Sequence, residues 1–399
     1  MPDRPVPDPP LPDARRPGGP LRGIRVLDLS ALGPGPFCSM LLADFGAEVI
    51  SVERPDPPPF DPAAFFARGK RSAVVDLRAP RGAEVIERLA MTADVLLESN
   101  RPGTMERRGL GPDVLCERNP GLIYARLTGW GQDGPYRDRA GHDINYIAVS
   151  GVLGTLGSPD GAAPQAPMAF VGDIAGGSLV TAFGIVMALL ERAATGRGQV
   201  VDGAIVDGSA LLNIPQLGEL NAGMWSGRGR GLLSGAAPFY GSYECACGGW
   251  FAVGAIESKF YAEFLAALGL DSSDDPAPTG AAQFDPSGWP KLRQRVAEAF
   301  RTRTRAQWTE LFAGIEGCGT PVLELDELVA DPHLRARGTV VEHHGAVTAA
   351  PAPRLSATPG SLRPAPPKRG GDTASVLAEA GFSEQEIAAL AAEGTVQLA

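Results

Sequence analysis

The chain has 399 residues, of which 44% are hydrophobic, so it can bury a large core in two domains or one elaborate domain. The net charge of −10 argues against nucleic acid or an anionic membrane as the main partner. The five cysteines are odd in number and mostly scattered, which indicates reduced thiols in a cytoplasmic protein. The sequence has no run of about 18 apolar residues without polar interruption, so it predicts no membrane span.

Residues 1–20 are rich in proline, aspartate and arginine and predict a disordered leader. The pattern that follows is a strand at 24–29, a helix at 37–45 and a second strand at 48–53. It predicts a βαβ unit at the start of a large Rossmann-like, doubly wound α/β domain spanning residues 21–210. The glycines and prolines of the loop at 33–36 do not spell G-x-G-x-x-G, so NAD or FAD is not favoured.

Cationic residues recur at strand ends and in the loops beside them in this domain, namely Arg54, Lys70, Arg71, Arg78 and Arg101. A polyphosphate binds beyond the carboxyl ends of the strands in an open α/β sheet. The five residues therefore predict a cationic cluster at one sheet edge, although each one alone is also compatible with a solvated surface charge.

A strand at 122–127 and a turn-rich stretch lead into Gly141-His142-Asp143-Ile144-Asn145-Tyr146. This order predicts a helix N-terminus, whose free N–H groups can hold an anion or a developing oxyanion. The alternative is that Asp143 only caps the helix and His142 lies in a surface loop. Further on, Asp173 is predicted to cap a long apolar helix at 174–194. A functional role for its carboxyl group is one interpretation, and a role as N-cap alone is the alternative. Gly176 and Gly177 suggest close backbone packing or ligand approach.

The second half of the chain has a different texture. Residues 211–231 lack a clear period and are predicted to be a linker. Residues 232–330 predict a small α+β domain with a hairpin, a helix opened by Glu257 and two more helices. Residues 331–399 contain a long Pro-rich stretch and final helices that are expected to return to the large domain, an extended tail that suits wrapping over a partner subunit.

Several motifs together resemble the family III CoA-transferases, and they occur in the same order from about residue 21 into the 390s. They are the stretches at 25–29, 33–36, 43–49, 53–55, 68–72, 100–103 and 172–173. Within that family, residues 141–146 and 252–257 resemble the branch whose members racemise 2-methylacyl-CoA thioesters. The resemblance implies an interlocked homodimer and a cytoplasmic isomerase of 2-methyl-branched acyl-CoA.

The resemblance also implies a mechanism. Racemisation needs one base on each side of the α-carbon and a group that stabilises the enolate oxygen. The likeness implies His142 and Asp173 as the two bases. It further implies that Glu257 bonds the far nitrogen of His142 and that the backbone N–H of Asp143 faces the thioester oxygen.

CoA contacts are implied at Arg54, Val75, Asp76, Leu77, Arg78, Glu98, Ser99, Asn100, Arg101, Gly141 and Tyr146. No metal or organic cofactor is expected, because CoA is part of the substrate. One alternative is a CoA-transferase in which Asp143 forms an acyl anhydride, but His142 stands where transferases usually carry an aromatic residue. The other is an acyl-CoA-binding protein without activity. The acyl chain is not identified by the sequence.

Overall fold

The computed structural model describes residues 18–31, 33–57, 62–159, 161–272, 275, 277–363 and 365–399. Most of the predicted leader, residues 1–17, lies outside the described residues. The chain divides into two compact units. Unit 1 contains the described residues up to Ser150 together with Pro167–Leu212 and Gly338–Ala399, and unit 2 contains Gly151–Ala166 and Asn213–Arg337.

The strands are β1 (Arg25–Asp28), β2 (Glu48–Glu53), β3 (Lys70–Val75), β4 (Val95–Glu98), β5 (Ile123–Thr128), β6 (Val200–Ala204), β7 (Tyr240–Glu244), β8 (Trp250–Gly254), β9 (Gly319–Pro321), β10 (Val340–His343), β11 (Ala346–Ala349) and β12 (Val396–Gln397). The α-helices are α1 (Pro34–Asp44), α2 (Gly82–Ala90), α3 (Pro112–Arg118), α4 (Asp143–Val149), α5 (Val152–Thr155), α6 (Val180–Thr195), α7 (Ile205–Leu212), α8 (Ile214–Asn221), α9 (Ser258–Leu268), α10 (Trp289–Phe300), α11 (Arg305–Ala313), α12 (Pro332–Arg337), α13 (Thr373–Glu379) and α14 (Glu384–Ala392). A π-helix, Phe170–Leu179, precedes α6, and short 3₁₀ turns occupy Pro62–Phe66, Glu106–Arg108, Leu232–Ser234, Gly280–Phe284 and Pro286–Gly288.

Unit 1 is organised around a sheet with the strand order β12-β3-β2-β1-β4-β5-β6. The strands from β1 to β6 pair in parallel, and β12 pairs antiparallel with β3 at one edge. The order 3-2-1-4-5-6 is that of the Rossmann fold, so the predicted α/β class is confirmed. The direction of winding reverses between β1 and β4, and ligands of such sheets bind beyond the carboxyl ends of the strands at that point.

Both faces of this sheet are covered, which explains why its strands are almost continuously apolar. Alternate residues point to opposite faces, as Val26 and Leu27 of β1 show. Leu27 belongs to a core that includes side chains of α2, α13 and α14, whereas Val26 belongs to a core with α1 and α6. The C-terminal helices therefore complete one layer of unit 1.

Unit 2 has its own core. The antiparallel strands β7, β8 and β9 form a three-stranded sheet, and aromatic side chains of its strands and helices pack together in its interior. The ring of Phe251 in β8 lies 5.6 Å from that of Phe300 in α10. The predicted hairpin and the capping box of α11, formed by Thr304 and Gln307, are both present.

Some details of the chain differ from the sequence predictions. Residues 151–166 belong to unit 2, and the predicted linker at 211–231 contains the helix α8. The hairpin of β10 and β11 was not predicted. The sequence at residues 326–330 predicts a short helix, but the helix observed near there, α12, begins at Pro332. These are short elements, for which a periodic signal is too brief to read.

The predicted cationic cluster is wrong for two of its five residues. Lys70 and Arg71 begin β3 and so lie at the amino end of that strand. The buried Lys70 ammonium group contacts the Asp28 carboxylate at 3.3 Å and the Ser39 hydroxyl at 2.7 Å. Arg71 forms an ion pair with Glu48 at 2.6 Å. Both cations are occupied by internal partners, so Arg54, Arg78 and Arg101 remain at the carboxyl edge.

The π-helix and α6 run together as one helix of 26 residues, which is long and apolar enough to cross a membrane by length and composition alone. The sequence predicts no membrane span here, because polar residues interrupt the apolar run. Its interior face packs in unit 1 through Ile185 and Ala188, which are both buried. Only 39% of the apolar stretch is buried, so one face of this helix packs in unit 1 and the other face is exposed.

Candidate active site

The loop after β4 and the start of α1 lie at the point where the sheet reverses its winding direction. The loop carries Arg101, which is exposed, and Asn100, whose backbone N–H donates to the buried Glu98 carboxylate at 2.6 Å. Glu98 also accepts from the Nε of Arg126 at 3.0 Å. The loop is thus fastened to the end of β4 by a buried carboxylate, while the guanidinium group of Arg101 is presented to solvent.

Helix α4 begins beside this edge. His142 is its N-cap residue and is exposed, and its backbone N–H donates to the side-chain oxygen of Asn145 at 3.0 Å. Asp143 is the first helical residue and is only 9% exposed. The N–H groups of the first helical residues have no partner within their own helix. The prediction of a helix N-terminus at this motif is therefore confirmed, with His142 rather than Asp143 at the cap.

Aromatic packing fixes the direction of α4. The Tyr146 hydroxyl donates to the carbonyl of Gly141 at 2.5 Å, and its ring lies 4.8 Å from that of Trp130 in an edge-to-face contact. A Cβ atom at Gly129 would overlap the Tyr146 ring, so only glycine fits there. This packing holds the chain just before His142 against the end of the sheet.

Asp173 lies in the π-helix, four residues after its N-cap residue Ala169. The prediction that Asp173 is itself the cap is therefore wrong. Its backbone N–H instead donates to Oδ2 of Asp143 at 2.7 Å, so the two carboxylate residues meet at the starts of two neighbouring helices. Gly172 permits this approach, because a Cβ atom there would overlap the Asp143 carboxylate.

The proton affinity of Asp173 is unusual for a carboxyl group. Burial and, to a smaller extent, the nearby charge of Asp143 raise the pKa of Asp173 to about 6, while His142 acts in the opposite direction. Burial also raises the pKa of the Tyr146 phenol, and the charge of Asp173 contributes to that shift. Perturbed carboxyl groups of this kind occur at functional sites more often than elsewhere.

The π-helix is held closely by α7. A Cβ atom at Gly176 would lie 2.7 Å from the backbone nitrogen of Ser209, and one at Gly208 would overlap the Gly176 carbonyl. The close backbone packing that the two adjacent glycines predicted is therefore confirmed at Gly176. Gly176 of the π-helix and Gly208 of α7 each leave room for the backbone of the other helix.

The residues predicted to contact CoA fall into three groups. Arg54, Arg78 and Arg101 are exposed beyond the carboxyl ends of β2, β3 and β4. Arg78 is paired with Asp76 at 3.0 Å and with Asp56 at 3.0 Å.

The second group is half-buried and consists of Asp76, Leu77, Ser99, Asn100 and Gly141. The third group, Val75, Glu98 and Tyr146, has buried side chains, so their contribution is to hold the loops that others present. Their roles in binding CoA stay predictions.

Glu257 belongs to unit 2, where it is the exposed N-cap residue of α9. The hydrogen bond in which this carboxylate accepts from the His142 ring stays a prediction. His142, Asp143 and Asp173 all belong to unit 1 and lie close enough for their charges to influence one another.

Two residues of this region were missed by the sequence reading. The buried Ser178 hydroxyl lies 2.9 Å from the Asp173 carbonyl and 2.7 Å from the Pro34 carbonyl. Trp130 supports the Tyr146 ring. Ser178 directly follows two glycines inside an apolar helix, and this position was the signal for it in the sequence. The periodicity of the sequence does not indicate the role of Trp130.

Comparison with known proteins gives a consistent result over nearly the whole chain. The CoA-transferase family III model matches residues 21–373. The chain is 45% identical over 371 residues to the alpha-methylacyl-CoA racemase of Homo sapiens, covering 92% of this chain and 95% of that one. It is 34% identical to the succinyl-CoA--D-citramalate CoA-transferase of Chloroflexus aurantiacus, covering 96% and 100%.

Among solved structures, a CAIB/BAIF family protein from Brucella suis superimposes with a TM-score of 0.80 at 29% identity, covering 91% of this chain and 100% of that one. The strand order, the motifs in their sequence order and the match along residues 21–373 agree with one another. The chain belongs to CoA-transferase family III.

Proposed function

We propose that the protein is an isomerase that interconverts the (R) and (S) forms of 2-methylacyl-CoA thioesters. The observation that carries this proposal is the meeting of His142, Asp143 and Asp173 at the starts of two helices in unit 1. Two-sided proton transfer needs two bases, and His142 and Asp173 supply an imidazole and a carboxylate for this purpose. The 45% identity to a racemase, against 34% to a transferase, supports the same choice.

In the proposed reaction one base removes the α-proton, an enolate forms, and the conjugate acid of the other base returns a proton to the opposite face. Each residue must act as a base in one direction and as an acid in the other. A carboxyl group with an ordinary pKa is almost never protonated at neutral pH. The raised pKa of Asp173, about 6, makes both of its forms accessible.

His142 has an imidazole side chain, the group that most often serves as a general acid or base in enzymes. We propose that the carboxylate of Glu257 orients this ring and that the N–H of Asp143 stabilises the enolate oxygen. A helix N-terminus favours negative charge, which suits the second role. The exposed cations Arg54, Arg78 and Arg101 are proposed to bind the phosphates of CoA, with no metal or organic cofactor taking part.

The first test is incubation of the purified protein with one enantiomer of a 2-methylacyl-CoA in deuterated water. We expect deuterium at the α-carbon together with appearance of the other enantiomer, measured by mass spectrometry and chiral analysis. Prior dialysis against EDTA should not change the rate. If no exchange occurs with several chain lengths, and CoA instead moves to an added carboxylic acid, the transferase reading replaces this proposal.

We further propose that the protein is a homodimer. Four apolar side chains of α6 at i, i+3, i+4 and i+7 are between 45% and 74% exposed, namely Phe183, Val186, Met187 and Leu190. Met187 and Leu190 line a surface pocket together with Val200 and Val201 of β6, which is the last strand of this sheet among the described residues. Patches of this kind mark protein interfaces.

We expect sedimentation velocity to give a dimer for the unmodified protein and a larger monomer fraction for the double variant Phe183→Glu/Leu190→Glu. The control is Leu325→Glu, since Leu325 is the most exposed large apolar side chain in unit 2 and lies outside this helix. A monomer for the unmodified protein would contradict the proposal.

We also propose a cytoplasmic location, which cell fractionation tests directly: the protein should appear in the soluble fraction and not with membranes.

A further inference from the structure

The backbone of Asp173 is held on both sides by side chains that have no assigned role in proton transfer. On one side its N–H donates to Oδ2 of Asp143 at 2.7 Å. On the other side its carbonyl lies 2.9 Å from the hydroxyl of Ser178, which also lies 2.7 Å from the carbonyl of Pro34 at the start of α1. The serine has one proton and can donate it to either carbonyl. Asp173 is thereby linked to α4 on one side and to α1 on the other.

The Asp143 side chain has little freedom to leave this position. It is 9% exposed, and Gly172 approaches it so closely that no larger residue fits there. A Cβ atom at Gly172 would also lie 3.0 Å from Cγ2 of Ile147, on the next turn of α4. The hydrogen bond is charge-assisted and enclosed, which makes it stronger than an exposed neutral one. The contact therefore fixes where the π-helix begins relative to α4.

We propose that the Asp143 carboxylate and the Ser178 hydroxyl are positioning residues, which hold the Asp173 peptide so that its side chain meets the α-carbon of the substrate. This inference rests on the proposed racemase function and assigns these two side chains a part in it. It differs from the transferase role, in which the Asp143 carboxylate is itself acylated. Asp143 then contributes its side chain to Asp173 and its backbone N–H to the enolate.

The two positioning residues differ in charge, and this difference separates their effects. The ionised Asp143 disfavours ionisation of Asp173, and His142 favours it. Tyr146 on α4 also interacts with Asp173. The other elements that pack closely on the π-helix contribute neutral groups at the contact, namely Pro34 from α1 and Gly208 and Ser209 from α7. Removing the charge of Asp143 should therefore make Asp173 a weaker base, whereas removing the Ser178 hydroxyl should not.

The experiment compares Asp143→Asn and Ser178→Ala with the unmodified protein, using α-proton exchange of both enantiomers as a function of pH. The asparagine oxygen still accepts from the Asp173 N–H but carries no charge. We expect the acid limb of kcat/KM, which lies near pH 6 for the enantiomer deprotonated by Asp173, to move to lower pH in Asp143→Asn, with partial activity retained.

For Ser178→Ala we expect kcat to fall roughly ten- to hundred-fold through misplacement of the base, with KM and the acid limb little changed. Asp138→Asn is the matched control, because Asp138 is an exposed carboxylate of the loop before α4. Its rate and pH profile should equal those of the unmodified protein.

The outcomes distinguish failure of the proposed racemase function from failure of the positioning roles of Asp143 and Ser178. Absence of exchange in the unmodified protein would overturn the proposed function itself. Exchange in the unmodified protein, with an unshifted acid limb in Asp143→Asn and an unchanged kcat in Ser178→Ala, would overturn only the positioning roles. Complete loss of exchange in Asp143→Asn with the fold intact by circular dichroism would also overturn them, because it would mean that the carboxylate itself is chemically required.

Discussion

Replacing His142 by alanine is expected to lower the racemisation rate by about 10² to 10⁴-fold, the usual contribution of a general acid–base residue. The side chain is exposed at the N-cap of α4, so its removal leaves no cavity in the core. The cap is also supported by Asn145, which accepts from the His142 backbone N–H and is not altered. We therefore expect the fold and the affinity for CoA, measured by calorimetry, to be largely kept.

The two-base scheme makes this test more specific than a loss of rate. Without His142, the enantiomer whose α-proton faces Asp173 should still exchange that proton with deuterated water, but without inversion. His333→Ala is the matched control, since His333 is exposed in α12 of unit 2. Unchanged racemisation in purified His142→Ala would remove His142 from the mechanism.

Replacing Asp173 by asparagine should give the mirror-image result. Asparagine has nearly the same shape, and the backbone N–H that donates to Asp143 is retained, so the π-helix should keep its position. Racemisation is expected to fall by about 10² to 10⁴-fold, because an amide cannot take up the α-proton. Exchange should now be confined to the enantiomer that the His142 variant fails to exchange.

The pH dependence of the unmodified protein belongs to the same test. Because the pKa of Asp173 is raised to about 6, the direction in which Asp173 is the base should lose rate as the pH falls through that value. The Asp173→Asn variant should lack this limb in its residual exchange. If both enantiomers still exchange and invert in this variant, another residue is the second base.

The sequence was sufficient for the order of elements in the first half of the chain. Strands β1, β2 and β5 and helix α1 were predicted within a few residues of their observed ends, because glycine or proline lies close to at least one end of each. The capping box of α14, in which the Ser383 hydroxyl accepts from the Glu386 N–H, has the local pattern of a serine followed three residues later by a glutamate. Such signals are local, so a single chain reveals them.

The contacts between distant segments could not be predicted in this way. Lys70 was expected on the surface, and nothing local indicates that its ammonium group would contact Asp28, which is 42 residues away. The same holds for the bond between Asp143 and the Asp173 backbone, across 30 residues. The resemblance to the family implied functional roles for Asp143 and Asp173. The contact between the Asp143 carboxylate and the Asp173 backbone N–H is seen only in the folded chain.

The C-terminal layer of unit 1 has a consequence for how the protein is made. The core that surrounds Leu27 includes Leu377, Leu390 and Val396, and β12 supplies the last strand of the sheet. The buried residues of the core of unit 2, in contrast, all lie between Ala237 and Phe312 among the described residues. During synthesis on the ribosome, unit 2 can therefore bury its core while unit 1 still lacks one of its layers. Unit 1 can close only after α13, α14 and β12 have left the exit tunnel, so one face of its sheet stays incompletely covered until then.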